Sequence, residues 1–67
     1  MKNNLKVKRA ILNITQAQLS ELVGVSRQAI NAIEKGKYVP STLLSLKLAK
    51  VFDTEVGDIF ELEKGDF

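Results

Sequence analysis

Two helix-boundary signals stand almost on top of each other near the middle of this chain. Gly24 suits the position just past the end of one helix, Ser26 suits the position that opens another, and only Val25 separates them. Helices joined that tightly cannot lie antiparallel and must cross steeply, through a turn that needs a residue tolerant of positive φ. The flanking residues fit. Before the turn, Thr15 and Gln18 stand in capping-box spacing, and Leu19, Leu22 and Val23 form an apolar stripe. After it, Ala29, Ile30 and Ile33 share one face of a helix that ends at Gly36. Ser20 supplies the small residue where the first helix backs onto the second, and Leu19, Val23, Val25, Ile30 and Ile33 supply apolar inner contacts. Residues 15–36 therefore meet every requirement of two helices crossing through a tight turn.

The remainder reads as helix too. A first helix runs from about Asn4 to Leu12, with Leu5, Arg9 and Leu12 on one face, and stops near Asn13. Pro40 precedes a fourth, opened by Ser41 or Thr42 and bearing Leu43, Leu44, Leu46, Leu48, Val51 and Phe52, apolar enough to be a central buried strut. Asp53 and Thr54 break it, and a last short helix carries Val56, Ile59 and Phe60. Beyond that, Phe60, Leu62 and Lys64 alternate with Glu61, Glu63 and Gly65, the period of a short strand. The 67 residues make one domain with a small core.

Composition narrows the function. Without cysteine there is no disulfide framework or thiolate zinc site, and without histidine catalysis lacks its commonest general base. No pair of carboxylates has a pocket to work in, and Ser26, Ser41 and Thr42 lack a base and serve better as caps. A binding module with no metal and no cofactor is expected rather than an enzyme. No apolar run reaches the length of a membrane span, and the start lacks a signal peptide's apolar core, so a cytoplasmic location is expected. Residues 1–50 carry nine Lys/Arg against two acids, whereas residues 51–67 carry Lys64 against six acids. A polyanion is drawn to the first part and repelled by the second.

The outer face of the third helix indicates which polyanion. Arg27 and Asn31 are four apart, as are Gln28 and Ala32, opposite Ile30 and Ile33. Arginine can bond guanine in a bidentate manner, and glutamine or asparagine can do so with adenine, in the major groove of duplex DNA. A face that is merely solvated more often carries Glu and Lys.

The run from Thr15-Gln16 and Leu19, through Gly24-Val25-Ser26-Arg27-Gln28 and Ile33-Glu34-Lys35-Gly36, to Pro40 resembles the Cro/CI-type (XRE-like) helix-turn-helix regulators over residues 4–60. The resemblance implies an all-α, compact five-helix bundle of phage-repressor type that seats its third helix in the major groove. It implies base contacts at Arg27, Gln28 and Ala32, with Gln16 buttressing the operator contact, and a structural ion pair between Arg9 and Glu34. Ala32 is shorter than the polar residue of some relatives, so readout is expected to rest on Arg27, Gln28 and Asn31. Lys8 also departs from the family's usual apolar residue. Either its stem covers apolar surface or the first helix is rotated slightly. Backbone anchoring is expected from the helix starts at Thr15-Gln16, Ser26 and Ser41-Thr42, and from Lys35, Lys37 and Tyr38.

One helix in one half-site gives little specificity, so a homodimer on a palindromic operator is expected. Its seam is assigned to the 54–67 segment, on Val56, Ile59, Phe60, Leu62 and Phe67; the alternative makes Val56, Ile59 and Phe60 core residues of a monomer. The expected function is a sequence-specific transcriptional regulator, in the sense of a repressor, with no small-molecule effector in view. Two alternatives share the fold: an antitoxin whose acidic tail masks a toxin, and a protein-interaction module that does not bind DNA.

Overall fold

Helices form where the capping signals stand. In the computed structural model, which describes residues 1–67, α1 spans Leu5–Leu12, α2 Gln16–Val23, α3 Arg27–Glu34 and α4 Thr42–Val51. The Thr15 hydroxyl accepts from the Gln18 N–H at 3.0 Å while the Gln18 carbonyl oxygen accepts from the Thr15 N–H at 2.8 Å, so the capping box closes. Ser26 and Ser41 cap α3 and α4 by accepting from the N–H groups of Ala29 and Leu44. At its other end α2 stops on Gly24, whose φ of +75° is the left-handed conformation that costs glycine least.

Ten buried apolar side chains form the core: Leu5 of α1, Leu19 and Val23 of α2, Ile30 and Ile33 of α3, Leu44, Leu48 and Ala49 of α4, then Ile59 and Phe60. Ser20, also buried, satisfies its hydroxyl by donating to the Ala17 carbonyl, which lets α2 lie close to its neighbours without an unpaired polar group. In α2, α3 and α4 the buried apolar residues form a narrow stripe built on three- or four-residue spacing. So α4 is not the strut surrounded by protein that its composition indicates: Leu43 and Leu46 face solvent. Leu12 and Leu22 are likewise exposed, and α1 buries Leu5 alone. A domain of this size has too little interior to cover every apolar residue of a helix.

The bundle has four helices rather than five. Where a fifth is expected, the chain makes a single 3₁₀ turn at Val56–Asp58. Asp58 turns its carboxylate back to accept from the Glu55 N–H and the Thr54 hydroxyl, which favours a turn over helix, and Gly57 weakens any continuation. Phe60–Glu61 then forms a strand, β2, paired antiparallel with β1 at Lys2–Asn3 in the register Lys2 to Glu61 and Asn3 to Phe60. Asn3 fastens this ribbon to the helices: its Nδ2 donates to the Ile33 carbonyl at 2.9 Å, and its Oδ1 accepts from the Leu5 N–H. A second 3₁₀ turn, Lys64–Asp66, follows. No helix is long and apolar enough to cross a membrane.

Candidate nucleic-acid interface

Capping leaves free donors at the start of each helix. At α2 the Thr15 side chain takes the third N–H, so the Gln16 and Ala17 N–H groups have no partner; at α3 the same holds for Arg27 and Gln28. These free groups carry the positive end of the helix dipole. The first turns of α2 and α3 meet the end of α1 around an open groove of about 600 Å³ lined by Arg9, Ala10, Asn13, Ile14, Thr15, Gln16, Ala17 and Arg27. Asn13, at φ +56°, closes α1 and brings the chain to this groove.

Arg27 and Gln28 are exposed, and neither side chain bonds to the rest of the chain. Asn31 and Ala32, one turn on, are half-buried. Behind them Arg9 donates from Nε to Glu34 Oε2 at 2.7 Å and from Nη2 to Oε1 at 3.1 Å. The guanidinium also donates to the Ile14 carbonyl, so this one side chain joins α1, the α1–α2 turn and α3. Gln16 adds α2, its Nε2 donating to Glu34 Oε1 at 3.1 Å and to Asn31 Oδ1 at 3.3 Å. Burial pushes the Glu34 carboxyl up, but the hydrogen bonds from Arg9 and Gln16 outweigh it and hold it below the usual glutamate range. The bond to Glu34 raises Arg9 in turn.

The other predicted residues divide by position. Lys35, Lys37 and Tyr38 are exposed beyond the far end of α3, and Ser41 and Thr42 are exposed at the start of α4. Lys8 is half-buried. In the 54–67 segment, Ile59 and Phe60 are buried in the chain's own core, which leaves them little surface for a seam, and half-buried Val56 packs on its edge; Leu62 and Phe67 are exposed. Of the groove residues, Ala10, Ile14 and Ala17 carry no signal in the sequence. The left-handed tolerance of Asn13 indicated only a helix end. The resemblance implies a supporting role for Gln16, but nothing in the sequence indicates Asn31 and Glu34 as its partners.

Residues 5–59 match the family described as helix-turn-helix. Among similar proteins is an uncharacterised helix-turn-helix-type transcriptional regulator of Methanocaldococcus jannaschii, 56% identical over 63 residues, covering 94% of this chain and 96% of the relative. Another, from Bacillus subtilis, is 52% identical over 64 residues, covering 96% and 97%. The restriction-modification controller protein of Aeromonas hydrophila superposes with a TM-score of 0.76 at 30% identity, over 84% of this chain and 85% of that one.

Proposed function

The chain belongs to the helix-turn-helix family of transcriptional regulators, and from that premise we propose that it is a sequence-specific repressor that binds duplex DNA as a homodimer, with α3 in the major groove. The observation that carries this reading is the exposed, unpartnered pair Arg27 and Gln28 at the start of a helix braced from behind by the Arg9–Glu34 bond. A reading head needs both properties: side chains free to meet base edges, and a backbone that does not yield when they do.

In this arrangement Arg27 and Gln28 contact bases, joined by Asn31 and, through a methyl, Ala32. The groove above the α2 N-terminus takes a phosphate on the free N–H groups of Gln16 and Ala17, flanked by Thr15. Ser26, Lys35, Lys37, Tyr38, Ser41 and Thr42 hold the backbone without reading sequence. A palindromic site requires the two α3 helices of the dimer to stand about one turn of B-DNA apart, roughly 34 Å. With Ile59 and Phe60 inside the monomer, Leu62 and Phe67 are the apolar residues of the 54–67 segment left for the dimer contact. Likeness to a restriction-modification controller supports a controlling role over a catalytic one. No observation favours the antitoxin or the DNA-independent reading.

Selection of binding sites from random duplex DNA tests the proposal. A palindromic site is expected, and Arg27→Ala should weaken binding to it by about 1–3 kcal/mol while relaxing preference at one position per half-site. Undiminished binding by that variant would reject the assignment of the reading face.

A further inference from the structure

We propose that Asn31 reads a hydrogen-bond-accepting base edge, guanine above all, because a chain of hydrogen bonds starting at Arg9 holds its amide in one orientation. The inference rests on the DNA-reading function proposed above and sets the base preference of one residue in it.

The orientation follows link by link. Arginine has only donors, and two of them face the Glu34 carboxylate. An ionised carboxylate only accepts, so the end of Gln16 lying 3.1 Å from Glu34 Oε1 must be its amino group. That same nitrogen lies 3.3 Å from the Asn31 amide and must meet an acceptor there, which turns Asn31 Oδ1 inward. Asn31 Nδ2 is left on the other side, donating to no group of the chain, on a residue that is only half-buried. No buried side-chain nitrogen or oxygen lacks a partner, so this amino group is open to solvent.

The consequence departs from the usual pairing of asparagine with adenine. That pairing needs an acceptor facing adenine N6–H₂ and a donor facing N7, and here the acceptor is turned inward to Gln16. The remaining amino group matches guanine, whose N7 and O6 are adjacent acceptors. Thymine offers O4 alone, adenine sets its N6–H₂ against the amino group beside N7, and cytosine offers only a donor. Gln16 is therefore a positioning residue: it touches no base in this scheme, yet it decides which base Asn31 accepts.

Two measurements test this. In the free protein, NMR should show the Gln16 side-chain amide protons exchanging slowly with water and those of Asn31 exchanging fast. Protected Asn31 protons would mean the amide points the other way and would overturn the inference without any DNA. In site selection, Asn31→Ala identifies the position Asn31 reads, where the natural protein should prefer guanine to adenine by about tenfold. Gln16→Ala should free the amide to turn and bring adenine close to guanine at that position, whatever it does to overall affinity. Adenine preferred there by the natural protein would overturn this inference alone. Failure to enrich any sequence would overturn the DNA-reading function and this inference with it, while the exchange measurement would still report the amide's direction.

Discussion

Glu34 keeps its charge with only 6% of its side chain exposed, opposite an Arg9 that is 16% exposed. Such a pair stabilises less by existing than it costs to break, because removing one partner strands the other charge out of water. Arg9→Ala is therefore expected to lower stability by about 3 kcal/mol in urea denaturation, with Arg9→Ala combined with Glu34→Gln costing less than Arg9→Ala alone. The same geometry sets an acid limb. Because the folded state holds Glu34 below its ordinary value of 4.5, its contribution is complete above that value and is lost as pH falls through the lower folded one. Thermal unfolding followed from pH 7 to pH 3 should show this loss, and Glu34→Gln should flatten it. In the proposed complex Lys37, exposed past the end of α3, serves the sequence-blind part of binding. Lys37→Ala should weaken all duplexes alike and reduce the slope of log affinity against log salt by about one unit.

The helices owe their limits to their ends. Each is only eight to ten residues long, below the length at which a helix is stable alone in water, so caps and packing carry them. Thr15→Ala should cost about 1 kcal/mol, read as a drop in melting temperature. A second position offers the opposite outcome. Asp53 follows α4 with a φ of +50°, a conformation that costs residues with a Cβ and costs glycine little. Asp53→Gly is expected to raise the melting temperature by a few degrees, on the order of 0.5 kcal/mol. Most of these ends were legible: Thr15, Gly24, Ser26 and Ser41 each carry a local chemical reason to stop or start a helix. The last element was not. Val56, Ile59 and Phe60 have helical spacing, but Asp58 and the pairing of Phe60–Glu61 with Lys2–Asn3 prevail over it.

Across the whole molecule, charge and exposed apolar surface bear on the proposed contacts with DNA and with a second copy. The basic first fifty residues attract a polyanion and the acidic remainder repels it, and the two meet at the β1–β2 ribbon, where Lys2 lies 3.9 Å from Glu61. In the proposed dimer the contact falls to Leu62 and Phe67, 59% and 94% exposed. Leu62→Glu with Phe67→Glu should leave the thermal transition in place and weaken binding to a full palindrome by about tenfold, with little effect on a half-site. Sedimentation at high concentration that finds only the 7.4 kDa species would count against the dimer.

The residues by themselves determined what is decided within a few positions: where the four helices begin and end, the tight turn at Gly24–Ser26, and the polar edge of α3. Caps, left-handed stops and helical spacing act over one or two turns, so they are written locally. Tertiary structure alone decided which apolar residues are buried, the pairing of Lys2–Asn3 with Phe60–Glu61, and the link through Gln16 from the Arg9–Glu34 pair, which the resemblance implied, to Asn31. Those outcomes depend on which helix faces meet and on groups 15 to 25 residues apart, or at opposite ends of the chain, arriving within hydrogen-bond reach. Local preference contains no term for that distance.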